Sequence, residues 1–456
     1  MNFDETIDAF RRGALDLDCT RMVLSQRKEG GERYEEYGYI RQSQSDGLVF
    51  KIYVAERENA SPLAAINAQL SAAVGKIHHE EMYYDLSVVE WGGTNWTAAR
   101  IIPSVHWDAS ADSVLIDGQI QSMATQEEGS QKRHYLRLHF FEEYDLPLDL
   151  LSETERLGNR HLVRDRAEFE ACGAKFEVKS RQGSGDTVVE ATSDTAFSAE
   201  FHLRVQEALQ YITGKSARWR AKLEGDTARL RLELEAPWRR SIGAKLPAPI
   251  SSASIEFSNQ GWRLFVKYLD CVVTNTEGTY WNPVAYHLYN ACEATANSID
   301  AWAVGVSLAV EAIAGLIAVQ PIGDGNERLA IFQKRMGEYL LQQKDFEDFI
   351  PRMKGSIEAM SNRRAIDALH ALAITGHVEK AYIAAWSRLR NAHVHPNLGD
   401  LKKRDPGDNQ KLIDYILRVE VLLRQLTYYL IGYDGPFTDY GAEKWPIKQY
   451  PLDSSC

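Results

Sequence analysis

Near Val284 the hydrophobic period of this chain changes, and that change limits what it can fold into more than any other feature. Before it, short runs alternate apolar and polar residues: GLVFKIYVAE at 47–56, LSVVEW and WTAARIIPSV within 86–105, SVLIDGQIQSM at 113–123 and HYLRLHFF at 134–141. KFEVK at 175–179, TVVEAT at 187–192 and RLRLELE at 229–235 continue the pattern, with Gly, Ser and Asp between the runs. A period of two with polar punctuation predicts antiparallel strands that keep one face wet. After Val284 the period is helical, over 285–319, 326–343, 346–360, 363–375, 378–393 and 410–432. Short connections between such runs predict antiparallel neighbours in a bundle.

The expected fold class is therefore α+β and multidomain: an antiparallel β-rich region at 1–283, sandwich or barrel-like, then an all-α bundle at 284–433. Residues 434–456, with Pro436, Trp445, Pro446 and Pro451, show no period and are expected to lie irregularly along the surface. Two helical interruptions are predicted in the β region, at 62–74 and at 198–213 before Gly214; the second is a place for the β region to divide into two lobes, near 195–215. Pro247, Pro249 and the serines at 251, 252 and 254 read as a linker or loop. Tryptophans 91, 96 and 107 are expected in the β core.

A length of 456 residues exceeds one ordinary core. The net charge of −12 gives no bulk attraction to nucleic acid, and it is uneven: about −2 falls on 285–456 and about −10 on the rest. A nucleic-acid contact would need a local basic patch, more plausibly in the C-terminal third. Five scattered cysteines without a CxxC pair argue against a disulfide framework or a zinc knuckle and fit a reducing cytoplasm. The first residues, MNFDETIDAFRRG, lack the basic-then-apolar order of a signal peptide.

The stretch 301–319 carries a single charge, Glu311. A central acid costs about 3 kcal/mol on membrane-insertion scales, and Ala and Gly return little. A buried helix of a soluble bundle is the reading preferred here, with no membrane partner.

The densest polar chemistry lies at the end of the run 378–393, where Trp386-Ser-Arg-Leu-Arg-Asn-Ala-His-Val-His-Pro396 places Arg390, Asn391, His393 and His395 within six positions. Polar and basic residues are common in a helix's last turn, which is the bland account of this group. As chemistry, histidine titrates near neutrality and can move a proton, while a forked, permanently charged guanidinium can stabilise charge on a phosphorane. Asn391 could orient a phosphate or hold a histidine tautomer. On an ideal helix Arg390 and His395 would stand about 140° and about 7.5 Å apart. Pro396 biases His395 away from helical backbone, so the chain could turn back there. His393, three residues on, would share the face of Arg390, and Arg388 with His393 keeps the same spacing, so His393 remains an alternative to His395.

A late helix carrying R-N-x-x-x-H in an antiparallel bundle resembles the HEPN family, which includes metal-independent ribonucleases of prokaryotic defence and toxin systems. The layout of a β-rich region followed by such a bundle resembles the ApeA-like anti-phage proteins. The resemblance implies an RNA endonuclease of abortive-infection type, active as a homodimer without a cofactor or metal, with Arg390, Asn391 and His395 catalytic. It implies RNA as substrate, transfer RNA included, and a phage-derived trigger sensed by the β-rich region. It also assigns Glu311 a supporting place opposite the motif, where a carboxylate would orient the guanidinium.

Arg363, Arg364, Lys402, Lys403 and Arg404 are candidate phosphate contacts, with solvated surface charge as the plainer account. His78-His79-Glu80-Glu81 has metal-site composition, but adjacent residues rarely converge on one ion, so no metal is expected. No P-loop, Rossmann glycine pattern or Ser-His-Asp arrangement stands out. The competing reading is a non-catalytic HEPN-like module for binding or oligomerisation.

Overall fold

A computed structural model of the chain describes residues 2–43, 47–54, 77–108, 113–129, 131–156, 159–181, 185–236, 244–276, 281–317, 325–343, 348–359, 364–393 and 406–452. The chain divides into two compact units: 1–202 with 217–240, and 203–216 with 241–456. The helix expected at 62–74 lies outside the described residues.

The first unit is antiparallel β structure. Its strands are β1 (Asp16–Gln26), β2 (Arg33–Ser43), β3 (Gly47–Val54), β4 (Tyr84–Glu90), β5 (Asn95–Ile101), β6 (Ser104–Asp108), β7 (Ser113–Ile120) and β8 (Ser122–Glu128). They continue as β9 (His134–Phe140), β10 (Leu150–Arg156), β11 (Asn159–Ala171), β12 (Ala174–Arg181), β13 (Asp186–Ser193), β14 (Ala221–Gly225) and β15 (Arg229–Glu235). All fifteen hydrogen-bond into one sheet in the order β10-β11-β12-β13-β9-β14-β15-β8-β5-β4-β1-β2-β3-β7-β6.

The expected class, an antiparallel β region followed by helices, is the one the chain adopts. The expected division near 195–215 does not split the strands, because β14 pairs with β9 and β15 with β8 across that break. In β15 the leucines at 230, 232 and 234 are buried while their neighbours face outward, the arrangement a period of two requires. Gly38 is needed where β2 meets β3, since a Cβ there would stand 1.9 Å from the Lys51 carbonyl oxygen.

Helix α1 (Phe3–Arg11) starts at Asn2, whose side chain accepts from the Asp4 and Glu5 amides. It adds Phe3, Ile7 and Phe10 to a core that contains Met22, Phe50 and Trp96. Trp96 is buried as expected, but Trp91 is 81% exposed. It sits in the turn between β4 and β5, where the Glu90 amide donates to Thr94, and a turn position has no inward face. The Trp107 side chain lies outside the described residues.

The second unit is helical and begins before residue 284. Helix α2 (Phe201–Thr213) falls almost wholly within it and ends at Gly214, which has φ +68°. The segment expected as a linker is bonded in. Pro247 carbonyl oxygen accepts from Arg424 at 2.9 Å, Pro249 carbonyl oxygen accepts from the Thr438 amide at 3.0 Å, and Ile250 is buried.

Then come α3 (Ile255–Thr274), α4 (Pro283–Ala294) and α5 (Ile299–Leu316), started by the side chains of Ser254, Asn282 and Ser298. The cap at Ser298 breaks the single run expected over 285–319 into two helices. Helices α6 (Gly325–Leu341), α7 (Ile350–Ala359), α8 (Ala365–Ile374), α9 (Lys380–His393) and α10 (Pro406–Ile431) follow the expected runs closely. Helix α5 packs on α4, α8, α9 and α10, and α10 also packs on α3 and α9.

Residues after Gly432 are not irregular. They form a hairpin, β16 (Gly435–Thr438) with β17 (Ile447–Tyr450), and Phe437 is fully buried. Asp439, also fully buried, accepts from the Tyr382 hydroxyl at 2.7 Å and pairs with Lys448 at 2.7 Å, which fastens the hairpin to the start of α9.

Candidate functional site

Helices α5 and α9 lie side by side, and their contacts run in opposite senses along the two chains. His393 Nδ1 is 3.1 Å from Asp300 Oδ1 at the start of α5, and the Trp386 indole N–H donates to the Ser307 carbonyl oxygen at 3.1 Å. Side chains on a helix lean toward its N-terminus. Arg390 therefore reaches back along α9, its guanidinium carbon 5.8 Å from the Trp386 ring centroid, and meets Glu311 near the far end of α5.

The meeting is bidentate: Arg390 Nε donates to Glu311 Oε2 and Nη2 to Oε1, both at 2.8 Å. The pair is partly open to solvent, with side chains 29% and 37% exposed. Donating hydrogen bonds to the Glu311 carboxylate raises the Arg390 pKa above its ordinary value, so the guanidinium is charged throughout. A guanidinium has five N–H donors, and the two bonds to Glu311 leave those on Nη1 for a second anion.

The structure thus brings Glu311 to Arg390, the juxtaposition the resemblance implied. It does not bring His393 to the same carboxylate. Asp300 and Glu311 are eleven residues apart, about 16 Å of helical rise, and each basic side chain has its own acid. Asp300 lies in the first turn of α5, where its charge also complements the helix dipole, and His393 lies in the last turn of α9.

Helix α9 ends at His393, before Pro396, and Asn391 is exposed in its last turn. His395 lies outside the described residues, as do Arg363, Lys402, Lys403 and Arg404. Arg364 precedes α8 and is held by Asp367 through bonds of 2.8 and 2.9 Å, both side chains well exposed, which is a local surface pair. Arg388 donates to the Tyr415 hydroxyl at 3.0 Å, so it has a partner on α10 rather than on α5.

Near His78-His79-Glu80-Glu81, Glu80 takes Arg27 at 2.6 Å and Arg100 at 2.9 Å. Among the described residues no group of His, Cys, Asp and Glu has the arrangement of a metal site.

Sequence reasoning missed two buried acids. Glu420 on α10 accepts from the Trp302 indole N–H at 2.7 Å while its Oε2 has no hydrogen-bond partner, and burial pushes its carboxyl up to about 8. Glu207 on α2 pairs with Arg204 at 2.5 Å, and burial raises it to about 7. Glu420 stands between Arg418 and Arg424 in its run, so the sequence does not set it apart as it does Glu311, the one charge in 301–319. Glu207 and Arg204 stand one turn apart in a run with both signs of charge, a pattern that does not mark either as buried.

Helix α5 is the one described helix long and apolar enough to cross a membrane, with a mean hydropathy of 1.6. It carries Asp300 and Glu311 and is packed by four other helices, as the core helix of a bundle is. Compared with family models, curated proteins and solved structures, the chain gives no match.

Proposed function

We propose that this chain is a metal-independent RNA endonuclease of the HEPN type, cytoplasmic and homodimeric, of the kind that serves prokaryotic anti-phage defence. The observation that carries this reading is the bidentate hold of Glu311 on Arg390. It fixes a guanidinium at the end of α9 while leaving N–H donors and part of its surface free.

In the proposed reaction a ribose 2′-hydroxyl attacks the adjacent phosphorus as a histidine takes its proton. Negative charge builds on the phosphorane oxygens, where the Arg390 donors stabilise it. The 5′-oxygen leaves with a proton from a second acid, giving a 2′,3′-cyclic phosphate and a 5′-hydroxyl. His395 is assigned the proton transfer, because His393 is already held by Asp300. Asn391, exposed one residue after Arg390, is assigned a phosphate contact. The β unit is assigned the sensing of a phage-derived trigger.

Compensation of both basic side chains by acids favours a second reading, a non-catalytic module in which the two pairs only stitch α5 to α9. Cells expressing the wild type beside Arg390→Ala and His395→Ala separate the two. The nuclease stops growth and leaves cut RNA only in the wild type, whereas identical growth and intact RNA in all three support the module.

A further inference from the structure

In the β unit, the period of two that buries Ile40 on β2 and Ile52 on β3 turns a group of aromatic side chains to the outer face of the sheet. Tyr37 and Tyr39 on β2 and Tyr53 on β3 lie there. The rings of Tyr37 and Tyr53, residues 56% and 41% exposed, stack with centroids 5.9 Å apart, and Tyr39 is 6.3 Å from Tyr53. Trp91 extends the group: its amide donates to the Asp18 carbonyl oxygen at 2.8 Å, while Glu90 before it turns inward to accept from the Trp96 indole at 3.4 Å, which leaves the Trp91 ring outside. Asp18 pairs with Tyr39, Tyr39 with Lys51 and Lys51 with Asp117. One row therefore crosses β1, β2, β3 and β7 from Trp91 to Asp117, about 19 Å at the usual strand spacing.

We propose that this face is a carbohydrate-binding site, which takes a neutral, equatorially linked oligosaccharide laid across β1, β2 and β3. A pyranose ring is amphipathic in the way this face is. Its axial C–H bonds form an apolar surface that stacks on an aromatic ring, and its equatorial hydroxyls take hydrogen bonds from carboxylates and guanidinium groups around the edge. The rings have that company: the Arg41 guanidinium carbon is 4.1 Å from the Tyr39 ring centroid and pairs with Asp16 at 2.7 Å, and Asp117 lies 3.4 Å from His106. The hydroxyls of Tyr37, Tyr39 and Tyr53, the Trp91 indole N–H and the Lys51 amine take no hydrogen-bond or ion-pair partner among the described residues, so each is open to a sugar hydroxyl.

Charge selects this occupant over others. Asp16, Asp18 and Asp117 outweigh Arg41 and Lys51 and stand on both sides of the rings, so a polyanion such as RNA is repelled from the face. A protein partner needs an interface core depleted of charge, whereas here Asp18 separates Trp91 from Tyr39 and Lys51 stands beside Tyr39. A neutral glycan satisfies both the rings and the charges between them. The site gives the β unit a ligand independently of the nuclease reading.

Titration calorimetry of the full chain with chitohexaose and with cellohexaose tests it, beside maltohexaose, whose axial linkages curve the chain away from a flat face. The wild type is expected to bind at least one of the first two with a submillimolar Kd and to hold maltohexaose about 10-fold more weakly. Trp91→Ala and Tyr39→Ala should each weaken binding about 10-fold, while Tyr39→Phe keeps the stacked ring and stays within about 3-fold of the wild type. Melting of Trp91→Ala should match the wild type, because the ring is in solvent. A wild type that binds neither sugar overturns the proposal, and so does a folded Trp91→Ala or Tyr39→Ala protein that binds as the wild type does. Poly(U) is titrated in parallel, and binding of poly(U) that is lost in Trp91→Ala would assign the face to nucleic acid instead. RNA cleavage is scored separately, so a chain that binds sugar and cuts nothing refutes the nuclease and leaves this site standing.

Discussion

Arg390 and Glu311 meet across two antiparallel helices because the arginine folds back over Trp386 to reach the acid. The carboxylate fixes both the direction and the plane of the guanidinium. This pair joins the packing of the bundle to the chemistry assigned to it.

Glu311→Gln separates those two contributions. The pair is about a third exposed, so solvent screening limits its share of stability to about 0.5 kcal/mol, and the melting temperature should fall by no more than a few degrees. Cleavage should fall at least 10-fold, because an amide offers one oxygen where the guanidinium needs two. A variant that melts and cuts like the wild type would show that the hold of Glu311 is unimportant to both.

Glu420 gives the fold a pH dependence of definite sign. Its folded pKa, about 8, stands above the ordinary carboxyl value, so the folded chain keeps a proton that the unfolded chain releases. The stability it contributes is complete below about pH 4.5 and is lost as pH rises through 8, by on the order of 5 kcal/mol. Glu420→Gln keeps an oxygen for the Trp302 indole and removes the titration. Denaturation curves should show the variant more stable than the wild type at pH 8.5, with the advantage shrinking toward pH 5. A wild-type advantage at pH 8.5 contradicts the assignment.

Asp439 should matter more for stability than any other acid in the C-terminal hairpin. Asp439→Ala leaves Lys448 with Glu379 alone and strips the Tyr382 hydroxyl of its acceptor. Breaking a buried pair from one side costs about 3 kcal/mol. Urea denaturation should report that loss, and a change below about 0.5 kcal/mol would mean the hairpin is not held through this residue.

Much of this architecture was legible because local physics and the fold agree. RLRLELE alternates and is a strand, and the runs at 326–343, 363–375 and 378–393 repeat at helical spacing and are helices. Glu311 was legible as one charge in nineteen apolar positions, and a buried helix has to give such a charge a partner. What escaped depended on distant neighbours. The tail has no period because its order comes from Asp439, Tyr382 and Lys448, residues up to 66 positions apart. Pro247 and Pro249 looked like a linker, since nothing nearby shows that Arg424, Tyr428 and Thr438 take their carbonyls. Asp300 fell inside the single run expected over 285–319, and its histidine lies 93 residues away.

The central claim is chemical, and cleavage by the purified full chain tests it most directly. Transfer RNA is incubated in EDTA with the wild type, Arg390→Ala, His393→Ala and His395→Ala, and the termini of the products are determined. The account predicts 2′,3′-cyclic phosphate ends from the wild type. It predicts losses of at least 100-fold for Arg390→Ala and His395→Ala, and a loss below about 10-fold for His393→Ala, whose imidazole is bound to Asp300. Cleavage that survives Arg390→Ala, or products ending in 3′-hydroxyl groups, would contradict it.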